Sequence, residues 1–302
     1  MRNLISCEQY TRESLEELYA LADEIIANPA AHSEKLKGKI VSTLFFEPST
    51  RTRLSFEAAA LRLGAGVIST ENGNTGSSAT KGETLEDTIR VVAGYCDCIV
   101  MRHSNDDSAE QAAAVSKVPI INAGAGSGEH PTQALLDLYT IRAKHGSLDG
   151  LKVAILGDLR YGRTIHSLLK LLSLHDGLTV YGLSMGQFAL PLKYIDFLKR
   201  KGVEYIVCKG FEDIPADVDV LYHTRIQAER FDGSLNGKKN REEFVVNKQT
   251  LNKFSDKTML LHPLPRNNEI DADVDDNPRA LFFEQAHNGI PVRMAVLLMA
   301  LS

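Results

Sequence analysis

Short strand-like runs alternate with helix-like runs along nearly the whole chain, and that alternation constrains the fold more than any other feature. The strand-like runs fall at 40–45, 66–68, 98–101 and 119–122, with helix-compatible stretches at 54–63, 85–94 and 109–115 between them. A second series has strands at 152–157, 178–182, 203–207, 218–222 and 258–261 and a further short run at 280–283. Its helices fall at 164–174, 193–201 and 291–301. Such repetition predicts parallel sheets with helices on both faces, because parallel neighbours need a long crossover. Two series in 302 residues predict an α/β protein of two doubly wound parallel-sheet domains joined by helices, with the active site between them. The domains read as 1–132 and 133–286, the terminal segment of about 287–302 completing the first, and a helix over 131–144 joins them.

Composition narrows the function. With 43% hydrophobic and 24% charged residues the chain has an ordinary globular make-up, and no apolar run reaches membrane-spanning length. The N-terminal stretch reads as an amphipathic helix after a short lead, not as a signal peptide, which predicts a cytoplasmic protein. Cys7, Cys96, Cys98 and Cys208 lack metal-finger spacing and read as buried, reduced thiols. A net charge of −5 argues against a nucleic-acid surface. Any bound anion must therefore be met by a local cluster of cations.

Ligands of parallel α/β sheets bind beyond the carboxyl ends of the strands. Here those ends carry cations and hydroxyls. Run 40–45 leads to Ser49, Thr50, Arg51 and Thr52; run 98–101 to Arg102 and His103; run 119–122, through a glycine-rich turn, to His130 and Gln133. In the second series, 152–157 leads to Arg163, 218–222 to Arg225 and Gln227, and 258–261 to His262, Leu264, Pro265 and Arg266. The pattern predicts a strongly cationic site for a small molecule with several negative charges.

The segment "FFEPSTRTRLSFE" poses a local conflict, because Arg51 and Arg53 stand where a helix N-terminus favours acids. A bound phosphate resolves it: first-turn amides and the Arg51 guanidinium would meet one anion. A hydroxyl-capped helix with solvated arginines accounts for the same residues taken alone. Arg53 reads as such a case, paired with Glu47 or Glu57. The long polar loop "ENGNTGSSATKG" carries Ser77 and Lys81, and Thr80 to Glu83 read as a capping box that starts the next helix. "GDLRYGRT", 157–164, has P-loop spacing with Arg163 in place of lysine, and no strand ending in a magnesium-binding Asp follows it.

Several ordered motifs together resemble the aspartate/ornithine carbamoyltransferase family, and its aspartate branch in particular. They are "FFEPSTRTRLSFE", "KGETLEDT", "DCIVMR", "HPTQALLDLYTI", "GDLRYGRT", "TRIQAER", "HPLPR" and "QAHNGIPVRMAVL". The resemblance implies transfer of the carbamoyl group of carbamoyl phosphate to L-aspartate, giving N-carbamoyl-L-aspartate and phosphate in pyrimidine biosynthesis, with no cofactor, no metal and no covalent intermediate. It implies that Ser49, Thr50, Arg51 and Thr52 hold the phosphate. Thr52, Arg102 and His130 would polarise the carbonyl oxygen, and Gln133 would hold the carbamoyl amide. The aspartate carboxylates would meet Lys81, Arg163, Arg225 and Gln227, and the Leu264 and Pro265 carbonyls would lie near both substrates. It also implies a homotrimer in which Ser77 and Lys81 enter the neighbouring subunit's site, and it leaves room for a regulatory chain. Domain closure would pair Glu47 with Arg163 and Arg230. Ornithine as acceptor is the competing reading; Arg225 and Gln227 favour a dicarboxylate.

Overall fold

The structure, a computed structural model, describes residues 3–71, 82–226 and 244–301. Two compact units emerge, one formed by 1–136 with 288–302 and the other by 137–287. Each is built on one parallel sheet.

In the first unit β1 (Ile40–Phe45), β2 (Gly66–Glu71), β3 (Cys98–His103) and β4 (Ile120–Ala125) form a sheet in the order β2-β1-β3-β4, all parallel. The crossovers contain α2 (Thr50–Arg62), α3 (Leu85–Val92) and α4 (Ser108–Val115). β4 is buried at every position and β1 at all but its first, as expected of central strands covered on both faces. Leu44, Phe46, Ile89, Ile99, Met101, Ala112 and Ile120 form one apolar cluster of this unit.

The second unit has β5 (Lys152–Gly157), β6 (Thr179–Leu183), β7 (Glu204–Cys208), β8 (Val220–Thr224) and β9 (Met259–Leu261) in the order β7-β6-β5-β8-β9, again all parallel. Its helices include α6 (Arg163–Leu172), α7 (Leu192–Arg200) and the short α8 (Lys248–Leu251). Leu156, Leu183, Leu221, Leu260 and Phe282 belong to its core. α5 (Pro131–His145) and α9 (Phe282–Leu301) each run from one unit into the other.

Three local expectations need correction. The run at 280–283 is not a strand: Ala280 makes a single bridge to Leu260, and α9 begins at Phe282. That helix starts nine residues before the expected 291, with Pro291 inside it. The Asn288-Gly289 pair looks like a helix break, yet burial of Phe282 and Gln285 on the first turns outweighs weak propensity. Gly289 also has a packing reason, since a Cβ there would lie 2.4 Å from the Arg293 guanidinium. Finally, α3 is capped by Thr84, whose hydroxyl accepts from the Asp87 amide at 3.2 Å, rather than by the box at Thr80, which lies outside the described residues.

Cys7, Cys98 and Cys208 are buried as the sequence reading expected, and Cys96 is only half-buried. All four are free, and burial pushes the Cys96 and Cys208 thiols up to about 11 and the Cys98 thiol higher still. No described helix is long and apolar enough to cross a membrane.

Phe56 on α2 is fully buried and carries the Arg293 guanidinium 5.1 Å above its ring. Phe56→Ala is expected to cost about 3–5 kcal/mol of stability in urea denaturation, the range for deleting a buried aromatic.

Candidate active site

The first group of polar residues sits where the strand order reverses. β1 and β3 are neighbours whose connections leave in opposite directions, which opens a crevice at their carboxyl ends. β1 feeds the turn 46–49 and then α2. Ser49 is the N-cap residue of α2, but its hydroxyl makes no capping hydrogen bond, and no acid lies in the first turn. By contrast, Thr11 and Ser14 close a reciprocal box at the start of α1 (Arg12–Ala27), and Thr84 caps α3. The α2 N-terminus thus combines an uncapped dipole end, three hydroxyl residues and Arg51, which is exposed. An anion complements such an end.

Arg53, two residues on, is committed to structure. Its guanidinium lies 3.1 Å from Glu71 and 3.9 Å from Glu57, and it donates to the Ser69 hydroxyl at 3.2 Å. The expected partner Glu57 is therefore present, Glu71 is an addition, and Glu47 pairs elsewhere. Glu47 lies 3.0 Å from Arg102, the residue opposite Phe45 in the β1–β3 ladder. His103 stacks edge-on against Phe46 at 5.0 Å and accepts from the Asn105 amide. Burial lowers its pKa against the opposing pull of Glu47, so the ring stays neutral.

β4 delivers His130, which is buried. Its carbonyl accepts from the Gln133 and Ala134 amides, making it the residue before α5, with Pro131 at the first helical position. The turn before it is fixed from two directions. Asp106 accepts from the Ser127 amide at 2.6 Å, and Glu129 accepts from the Ser6 hydroxyl and the Cys7 amide, both at 2.7 Å. Gly126 has φ +47, and a Cβ there would collide with Asp106, so only glycine fits. Thr52, Gln133 and His130 are all buried, and Arg102 is nearly so. The Ser49–Thr52 turn follows β1, Arg102 lies near the carboxyl end of β3, and His130 follows β4, three adjacent strands of one sheet.

The second unit repeats the arrangement at its own reversal, between β5 and β8. β5 ends at Gly157, with φ +101; a Cβ there would lie 2.0 Å from the Thr224 carbonyl of β8. Asp158 is fully buried and accepts from the Arg160 and Tyr161 amides, folding the turn back on itself. A Cβ on Gly162 would lie 2.4 Å from the Asp158 carbonyl. Both glycines of the P-loop-like segment thus serve close packing. Arg163 follows as the buried first residue of α6, again with no acid in the first turn. β8 ends in Thr224 and hands over to half-buried Arg225.

β9 leads to the turn containing Leu264 and Pro265. Leu264 has φ 56, a left-handed conformation costing a branched residue about 1–2 kcal/mol, and the following peptide bond to Pro265 is cis. Sequence reasoning missed the polar chain behind this turn. The Tyr222 hydroxyl donates to buried Asp137 at 2.8 Å, Gln285 donates to the other Asp137 oxygen, and Gln285 accepts from the His262 amide at 2.9 Å. These partners lie far apart in sequence, and nothing short-range signals them. Of the remaining expected site residues, Ser77, Lys81 and Gln227, with Arg230, lie outside the described residues.

Two consecutive family profiles match the chain. Residues 2–143 match the aspartate/ornithine carbamoyltransferase carbamoyl-P binding domain, and residues 149–300 match the Asp/Orn binding domain. The chain belongs to the aspartate/ornithine carbamoyltransferase family. Among relatives of this family, the aspartate carbamoyltransferase catalytic subunits of Methanocaldococcus jannaschii and Clostridium novyi are 46% and 45% identical to it. Each alignment covers 98% of this chain and at least 96% of the relative. The solved catalytic subunit of the M. jannaschii enzyme superposes with a TM-score of 0.92, covering 99% of this chain and 98% of that one at 45% identity. Aspartate transcarbamoylase from Trypanosoma cruzi in complex with N-(phosphonacetyl)-L-aspartic acid superposes with a TM-score of 0.94, covering 100% and 96% of the two chains at 39% identity.

Two outcomes are expected of the family fold described here. Phosphate near a hundred times its dissociation constant should raise the wild-type melting temperature by about 5 °C or more over chloride at equal ionic strength, and Arg51→Ala should abolish that difference. The second concerns acid stability. Burial pulls the His262 pKa from 6.5 to about 4, against the raising effect of Glu269. Unfolding lets the ring take up its proton, so this contribution is complete above about pH 6.5 and is lost as the pH falls toward 4. Denaturation across that range should show a shallower acid slope for His262→Asn, with His223, also lowered by burial, supplying part of what remains.

Proposed function

We propose that this chain transfers the carbamoyl group of carbamoyl phosphate to the amino group of L-aspartate, giving N-carbamoyl-L-aspartate and phosphate. The observation that carries the reading is the uncapped, acid-free start of α2 beside Arg102 and His130, in a domain matched by the carbamoyl-P binding profile. Related transcarbamoylases have been solved with carbamoyl phosphate, with aspartate and phosphate, and with both substrates.

Ser49, Thr50, Arg51 and Thr52 would hold the phosphate through amides, hydroxyls and a guanidinium. The aspartate amine attacks the carbonyl carbon, the carbonyl oxygen gains negative charge, and phosphate leaves as the carbon–oxygen bond breaks, while the amine nitrogen gives up one proton to the departing phosphate or to solvent. Donors fixed around that oxygen stabilise the charge without reorganising. Thr52, Arg102 and His130 are those donors in this reading, and Gln133 orients the carbamoyl amide. Arg163 and Arg225, with Gln227 and Lys81, would bind the two carboxylates, and the Leu264 and Pro265 carbonyls would accept from the incoming amine. Two cations suit a dicarboxylate; the cationic side chain of ornithine would be repelled by them. No step calls for a metal or cofactor.

A homotrimer in the cytoplasm, with Ser77 and Lys81 completing the neighbouring subunit's site, forms part of the same proposal. Its support is the family resemblance of the "SSATKGET" segment. Glu47, held to Arg102 here, is the group that would exchange partners on closure with Arg163 and Arg230. No described feature selects a regulatory chain.

Wild-type enzyme should form a ureido product from carbamoyl phosphate with aspartate and not with ornithine. Absence of product with aspartate sinks the proposal. Arg51→Ala and Lys81→Ala should each lower kcat/KM about 100-fold or more. Reassembling the two inactive variants together should restore sites that draw Arg51 and Lys81 from different, intact partners; no recovery despite proven subunit mixing counts against sharing.

A further inference from the structure

The turn at 262–269 is held by a closed set of hydrogen bonds that the reaction itself does not require. His262 is 1% exposed, and both of its ring nitrogens are engaged. Nδ1 lies 2.8 Å from the Leu264 amide, which can only donate, so Nδ1 carries no proton. Nε2 lies 2.8 Å from Glu269 Oε1 and must therefore be the N–H that donates to it. The same carboxylate oxygen accepts from the Asn267 amide at 3.1 Å. Glu269 thus grips the turn at its histidine and at its far side, while the backbone of His262 is tied to buried Gln285. Arg266, within the turn, is paired with Asp275 and lies 4.9 Å over the Phe282 ring.

We propose that His262 and Glu269 are positioning residues for amino-acid binding: the histidine Nδ1 holds the Leu264 amide, and Glu269 fixes the ring that does so. The bond falls on the one non-glycine residue with positive φ among the described residues. Released from it, Leu264 would relax toward the ordinary right-handed or extended regions and swing its carbonyl away. Among the described residues no donor engages the Leu264 or Pro265 carbonyl, so both are available to a ligand. Glu269 acts at one remove. It keeps the proton on Nε2, which leaves Nδ1 as an acceptor; a proton on Nδ1 would set two N–H groups against each other and open the turn. The inference rests on the reading that this turn accepts from the aspartate amine.

The test compares His262→Ala, His262→Asn, His262→Gln and Glu269→Ala in the full chain. Asn places its carbonyl oxygen near the Nδ1 position and can accept from the Leu264 amide; Gln reaches toward Glu269 and cannot. The aspartate KM should rise about tenfold or more for the Ala and Gln variants, with the carbamoyl phosphate KM within about twofold of wild type, and Asn should recover most of the loss. Hydrogen exchange gives a readout independent of turnover: the Leu264 amide should stay protected in wild type and His262→Asn and exchange about tenfold faster or more in His262→Gln. Equal aspartate KM values for the Asn and Gln variants, or equal protection of Leu264 in both, overturn the proposal. That comparison decides the matter even where the Ala variants fail to fold. Wild-type protein with the expected exchange pattern but no product from aspartate would overturn the acceptor reading and leave the hold on Leu264 standing.

Discussion

A parallel sheet covered on both faces can present polar groups only where its strands end. Here β4 and β8 are buried along their whole length and β1 beyond its first residue, so none of their side-chain faces is open to a substrate. Everything that can meet an anion is displaced to the carboxyl edge. That one constraint explains why arginines, hydroxyls and histidines recur after β1, β4, β5, β8 and β9 and at the end of β3. It also explains why helix N-termini take part. The crossover helix begins where the strand stops, so its unpaired amides face the same crevice as the residues that follow the strand.

Both units use this edge at the reversal of strand order, but they build it differently. The first relies on an uncapped helix start and on carboxylates that immobilise the neighbouring turns: Glu47 against Arg102, Asp106 against Ser127, Glu129 against the N-terminal segment. The second relies on close backbone approach at Gly157 and Gly162 and on a buried polar chain through Tyr222, Asp137 and Gln285. Burial holds the Tyr222 hydroxyl far above its ordinary pKa, so it remains a neutral donor to Asp137. In each unit, negative groups out of direct reach of a ligand fix the cations and amides that would touch one.

Much of this was legible in the sequence because strand and helix periods are local. The run at 40–45 and the run at 152–157 coincide with β1 and β5, and Arg51, His130, Arg163 and Arg225 follow strands as read, whereas β3 runs two residues past the expected 101 and takes in Arg102 and His103. What was not legible depends on distant partners. Nothing near residue 282 says that its helix has begun, because the decisive term is burial of Phe282 among β8 and β9 residues. Glu269 looks like any loop acid until His262 folds against it. The two arginines of the α2 start differ for the same reason: Arg53 is assigned by Glu71 and Ser69 on β2, neighbours that only the sheet supplies.

That assignment of Arg53 has a consequence for how the molecule behaves in a crowd. β2 is the outer strand of its sheet and is largely open to solvent. Such a strand presents a row of free backbone groups and invites unrelated chains to add to it. The guanidinium gathered with Glu57, Glu71 and Ser69 sets desolvation-resistant charge on that margin. A side chain that first looked misplaced at a helix start thus puts fixed charge on the margin where strand addition would begin, and charge there disfavours such pairing.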